Sequence, residues 1–164
     1  MAVPLHPDVE VLSPLLGTWE GLGNGEYPTI DDFEYLESVT FAHVGKPFLA
    51  YTQRTQATGD GRPLHAETGY LRAPGAHHVE LLLAHPTGIT ELAEGSVEIT
   101  TGGLILTVGS TTVAMSRSAK EVTAVERKVE VDGDELHYEL AMAAMGQPMT
   151  HHLQARLVRR TRRP

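Results

Sequence analysis

The stretch Gly17–Ile30, GTWEGLGNGEYPTI, decides how this chain is read. It holds the single tryptophan, Trp19, and the glycines Gly17, Gly21, Gly23 and Gly25, all at odd positions. In an extended strand, odd and even residues point to opposite faces. The odd face is then Gly, Trp, Gly, Gly, Gly, Tyr, and the even face is Thr18, Glu20, Leu22, Asn24 and Glu26. The even face is the wetter one, so Trp19 and the glycines are expected to face inward. Glycine inside a strand is unfavourable unless the strand must bend or something must approach its backbone. Two accounts fit this face. The glycines let a closed barrel curve while Trp19 plugs one end, or the missing side chains leave room for a bulky ligand. A dinucleotide loop does not fit, because the spacing is wrong and EYPTI opens no helix.

Beyond this stretch the chain reads as short alternating segments between turn signals. FLAYTQRTQ ends at TGDGRP, LHAETGYLR at APGAHH, VELLLAH at PTG, and ITELAEGSVEIT at TGG. LILTVGSTTVAMS follows, VTAVERKVEV turns at DGD into ELHYELAMAAM, and GQP precedes MTHHLQARLVRR. Asp-Gly and Gly-Gly between alternating apolar runs are hairpin signals, because such turns need positive φ. Turns recurring at this interval favour an antiparallel meander closed as a barrel or sandwich. Only HPDVEVLSPLLG looks helical, with Val9, Leu12, Leu15 and Leu16 at helical spacing and Pro14 limiting it to short turns.

A chain of 164 residues is expected to form one domain: a short helix over about 7–16, a barrel over about 18–160 and a basic tail at 159–164. No apolar run approaches the roughly 18 residues of a membrane helix. The start, MAVPLHPDVEVL, lacks a basic and then apolar leader, so a cytoplasmic protein is expected. The absence of cysteine excludes disulfides, a thiolate nucleophile and Cys-based zinc sites. The net charge is −8, although five of the thirteen basic residues crowd into the final RLVRRTRRP. The body is therefore acidic, which argues against a nucleic-acid surface, and the tail reads as a solvated terminus.

The extended pattern G-x-W-x-G-x-G-x-G-x-Y-P-T-I resembles the nitrobindin family, distantly related to lipocalins and fatty-acid-binding proteins. Matching segments are FEYLESVTFAHVGKPFLAYTQ, PLHAETGYLR, VELLLAHPTGITE, AKEVT and GQPMTHHL, so the resemblance covers roughly Leu12 to Leu157. It implies an all-β fold, an antiparallel barrel of about ten strands after a short N-terminal helix. It also implies one haem b per chain, held near the barrel mouth by one histidine. Nitric oxide and peroxynitrite are the implied ligands, and the implied activity is a peroxynitrite isomerase whose ferric form yields nitrate. No membrane or nucleic-acid partner is expected.

Nine histidines compete for the iron. The family pattern Gln-Pro-Leu/Met-x-x-His-Leu falls on QPMTHHL and selects His152 as axial ligand and catalytic centre. Strict alternation disagrees. It groups His151 with Leu153, Ala155 and Leu157, so apolarity alone turns His151 inward. Choosing His152 requires either that the Leu153 face be a covered exterior or that a bulge lie nearby. In the first case those leucines are candidates for a homodimer interface.

The resemblance places Thr40 and His65 on the distal side, and Lys120 beside a haem propionate. Trp19, Gly21 and Gly23 complete the expected haem wall. His43, His77, His78 and His85 lie at or near turns and are expected at the surface. A non-catalytic carrier of an apolar acid is the competing account; it would use an inward Arg54, Arg72 or Arg127 to fix a carboxylate.

Overall fold

The computed structural model describes residues 3–161. A 3₁₀ helix, Pro7–Leu15, leads into ten strands: β1 (Gly17–Tyr27), β2 (Ile30–Ala42), β3 (Leu49–Ala57), β4 (Pro63–Arg72) and β5 (His78–His85), then β6 (Ile89–Ile99), β7 (Gly103–Met115), β8 (Val122–Asp132), β9 (Glu135–Ala144) and β10 (Thr150–Arg159). Each strand pairs antiparallel with the next, and β1 pairs with β10 to close the barrel. Closure leaves no unpaired sheet edge among the described residues. The two-residue hairpin β8–β9 turns through Gly133 at φ 59 and Asp134, as the DGD signal requires.

Strand β1 follows the expected alternation, with Trp19, Gly23, Gly25 and Tyr27 buried and Glu20, Leu22, Asn24 and Glu26 exposed. A Cβ at Gly23 would collide with the Tyr35 ring, and one at Gly25 with the Phe33 ring. Both rings come from β2 and lie across the bare strand, so they occupy the room the glycines leave. A Cβ at Gly21 would strike the Arg156 carbonyl on β10, which marks the curvature of the β1–β10 seam. Gly21 and Gly23 are therefore covered by the chain itself and do not form the cavity wall expected of them.

One barrel end is shut. Trp19 is fully buried there against Val9, Leu12 and Leu15, within a core that includes Leu49, Leu71, Val79, Val97, Leu104 and Leu157. Its indole N–H donates to the Leu15 carbonyl at 2.8 Å, so burial leaves no unsatisfied donor. Burying a side chain of this size contributes on the order of 2–3 kcal/mol. Arg159 stacks on the ring at 4.1 Å and donates to the carbonyls of Pro14 and Leu16, acceptors the short helix leaves open. Trp19 is thus the plug of the closed end, away from the cavity residues. Arg159, expected in the solvated tail, is a packed part of β10; Arg162, Arg163 and Pro164 lie outside the described residues.

Candidate functional site

The other end opens into a cavity of about 800 Å³. Its rim comes from Ile30, Arg62, Thr87, Lys120 and His152, at the opposite ends of the strands from the Trp19 plug. Its walls are largely apolar, and its interior carries charge.

His152 enters the wall through a break in register. His151 pairs with Ala141 and Leu153 with Leu140, leaving His152 as an extra residue without a partner on β9. This bulge lets both His152 and Leu153 line the cavity, while His151 faces an outer groove with Asn24 and Gln154. Leu157 and Ala155 are buried inward, so the expected exterior leucine face on β10 does not exist, and a dimer interface there loses its basis. A second irregularity lies opposite. The β1–β2 register shifts between Gly25 and Tyr27, and the β1–β10 ladder ends at Gly25. Glu26 sits between these breaks, and its carbonyl oxygen lies 2.9 Å from His152 Nδ1. A carbonyl only accepts, so Nδ1 carries the proton and Nε2 keeps its lone pair. Tyr27 and Phe33 contact the imidazole edge-to-face, at 5.3 and 6.4 Å between centroids. Burial lowers the His152 pKa, and His151 and His65 add to this, against the pull of the Glu26 carbonyl. The neutral ring is the metal-binding form.

The interior holds two polar groups. In the first, the Glu37 carboxylate accepts from Gln53 at 2.9 Å and from Tyr138 at 2.8 Å, and Tyr35 stands 2.8 Å from the Tyr138 hydroxyl. Burial pushes the Glu37 pKa up to about 7, although both donors oppose the rise. In the second, Arg127 pairs with Glu91 and lies 3.5 Å from Glu67, and Tyr51 donates to Glu67 at 2.7 Å. Burial alone would raise Glu67, but Arg127, His65, His85 and Tyr51 together hold its pKa at about 2. His65 and His85 complete this second group, 3.3 Å apart.

The expected site residues are therefore divided. His152, His65 and Lys120 line one cavity. Thr40 does not: β2 turns Tyr35, Glu37, Val39 and Phe41 inward, and Thr40 instead meets Thr18 on the outer face at 3.0 Å. Trp19, Gly21 and Gly23 lie outside the cavity lining. His85, expected at the surface, has a side chain only 10% exposed and faces the interior. Its phase with Val79, Leu81 and Leu83 in VELLLAH carries that signal. The same phase argument reaches Glu37 through Tyr35 and Val39, and Glu91 through Ala93. Of the three arginines suggested for a carrier, Arg54 and Arg72 are exposed, and Arg127 is already engaged by two carboxylates. No inward arginine among the described residues is left to hold a fatty-acid carboxylate.

Comparison with known proteins gives the family. The family model for the THAP4-like, heme-binding beta-barrel domain matches residues 8–159. The chain is 57% identical over 159 residues to Peroxynitrite isomerase 1 of Mycolicibacterium paratuberculosis, covering 97% of this chain and 99% of that one. It is 56% identical to Peroxynitrite isomerase of Nocardia farcinica, covering 96% and 94%. The crystal structure of Rv2717c from M. tuberculosis superposes with a TM-score of 0.94 at 53% identity, covering 96% of this chain and all of that one. None of the helices is long and apolar enough to cross a membrane, among the described residues. On its sequence and its barrel alike, the chain belongs to the THAP4-like, heme-binding beta-barrel domain family.

Proposed function

We propose that this chain is a haem-dependent peroxynitrite isomerase carrying one haem b at the barrel mouth, with nitric oxide as a second small ligand. One observation carries the reading. His152, alone on its bulge, has Nδ1 tied to the Glu26 carbonyl and so offers Nε2 from the wall of a cavity of about 800 Å³. Oriented imidazole of this kind is what an axial ligand needs.

The residues present fit the group. Phe33, Val122, Leu140, Met142 and Leu153 give an apolar wall for a macrocycle, and Lys120 at the rim suits a propionate. When bound, haem would supply an iron able to take up a diatomic or peroxynitrite. The protein holds His152 in one tautomer, excludes bulk water with its apolar wall and admits the small anion from the open end. Isomerisation of peroxynitrite to nitrate gains and loses no atoms or protons overall. The site accordingly needs no general base, and the buried carboxylates are each engaged by donors.

Titrating the purified chain with haemin tests the reading. A Soret band saturating at one haem per chain is expected. The ferric complex should also speed peroxynitrite decay and raise the nitrate share of the product. Absence of stoichiometric haem binding, or a decay no faster than with the haem-free chain, would overturn it.

A further inference from the structure

The second polar group inside the cavity includes His65, expected on the distal side of haem, together with Glu67 and His85, for which haem binding gives no role. We propose that His65, Glu67 and His85 form a binding site for a divalent transition-metal ion such as Zn²⁺ or Fe²⁺, separate from the axial histidine.

Three donor atoms stand close together. His85 Nδ1 lies 3.3 Å from His65 Nε2 and 3.3 Å from Glu67 Oε2, and the latter two are 3.7 Å apart. Ligands about 2.0–2.1 Å from a common ion, and roughly 100–125° apart as seen from it, stand about 3.1–3.7 Å from one another. All three separations fall in that range. Two imidazoles and one carboxylate on one side of an ion leave positions open toward the cavity, a donor set that suits zinc or ferrous iron better than magnesium or calcium.

A neutral His85 ring cannot satisfy all its neighbours by hydrogen bonding. His85 Nδ1 faces both His65 and Glu67, and one proton cannot serve both. On the other side of the ring, His85 Nε2 and Glu91 Oε2 are 3.5 Å apart, and neither has a hydrogen-bond partner among the described residues. The Glu91 side chain is only 1% exposed, so this orphaned oxygen is deep inside the protein. An ion on Nδ1 satisfies both sides of the neutral ring. It takes the Nδ1 lone pair and fixes the proton on Nε2, which then points at the waiting Glu91 oxygen. Carboxylates behind metal-bound histidines commonly orient the ring in this way. Tyr51 orients the third ligand similarly, donating to Glu67 Oε1 and leaving Oε2 toward the ion. Arg127 pairs with Glu91 and also reaches Glu67 Oε2 at 3.5 Å, so the ion would share that carboxylate oxygen with the guanidinium.

The strands explain the convergence. His65 and Glu67 are two apart on β4 and share its inner face, and His85 ends β5 beside them. His65 is the most open of the three at 33% exposure and gives an ion a path from the cavity.

Titrating the full-length, haem-free chain with Zn²⁺ by calorimetry, and with Co²⁺ by visible absorption, tests the site. One ion per chain is expected. X-ray absorption of the zinc complex should show two imidazoles, a measurement independent of any variant. His85→Ala and His85→Gln should both weaken binding on the order of 100-fold, and Tyr51→Phe by about 10- to 100-fold. Two variants act as controls. His152→Ala should bind the ion like the unaltered chain, which separates this site from the haem position. His78→Ala should also leave it unchanged, because His78, Glu80 and Glu94 form an exposed cluster elsewhere. No binding by the unaltered chain, a zinc complex without imidazole scattering, or affinity lost in His152→Ala or His78→Ala would each overturn the proposal.

Discussion

His152 donates from Nδ1 to the Glu26 carbonyl across 2.9 Å, and the two meet because each sits where a strand register breaks. A regular ladder would turn His152 outward with Gln154 and Arg156. Two local irregularities therefore place one side chain in the cavity wall, at the open end of an otherwise regular barrel.

His152→Ala should abolish the Soret band of the haemin-treated chain, and added imidazole should restore part of it by filling the space left behind. His151→Ala should bind haem like the parent, since that ring lies in the outer groove with Asn24 and Gln154. Absorption spectra of the two variants decide the matter. The reverse pattern would move the ligand to His151.

Gly23→Ala should destabilise the barrel by about 1–3 kcal/mol, the usual range for overpacking. Its Cβ would drive into the Tyr35 ring, whose hydroxyl is tied to Tyr138 and so has little freedom to yield. Gly109→Ala is the contrast. Its Cβ would meet only the Glu126 side chain, at 3.8 Å, and stability should change by less than about 0.5 kcal/mol. Urea midpoints of the pair measure the difference.

Much of this was legible in the sequence, and the rest was hidden for identifiable reasons. The odd face of Gly17–Tyr27 and the turn signals point to strands in an antiparallel meander, because period-two alternation and positive-φ turns are local properties, while the choice of barrel over sandwich rests on the family resemblance. The purpose of the glycines was not legible: Tyr35 and Phe33 reach Gly23 and Gly25 only after β2 has paired with β1. Alternation also fails at a bulge, which is why it assigned His151 and Leu153 to one face. The charged interior was obscured differently. Glu37, Glu67, Glu91 and Arg127 occupy strand positions where a charge ordinarily signals the wet face, and only their phase with buried neighbours shows otherwise.

Arg127→Met should cost about 3–5 kcal/mol, the range for removing one partner of a buried ion pair. The variant leaves Glu67 and Glu91 facing each other without their guanidinium, in side chains 7% and 1% exposed. Adding Glu67→Gln and Glu91→Gln to Arg127→Met should recover part of the loss. Denaturant unfolding of the single and triple variants checks this, and a triple variant no more stable than the single one would contradict it.

Glu37 should make the fold less stable as pH rises toward neutrality. Its pKa in the folded chain is raised from 4.5 to about 7, first by burial, with Glu67 adding and His65, Gln53 and Tyr138 opposing. Between those two values the folded chain holds a proton that the unfolded chain has released. The group's stabilising contribution is therefore complete below the unfolded value and is lost as pH passes through about 7. The gap corresponds to roughly 3 kcal/mol at most. Glu67 does not titrate in this window, because its pKa is held at about 2. Glu37→Gln keeps the shape and an acceptor for Tyr138 but cannot ionise. Unfolding free energies measured from pH 5 to 8 should fall with pH in the parent and run flatter in Glu37→Gln. Equal slopes would show that the carboxyl at position 37 does not carry the effect.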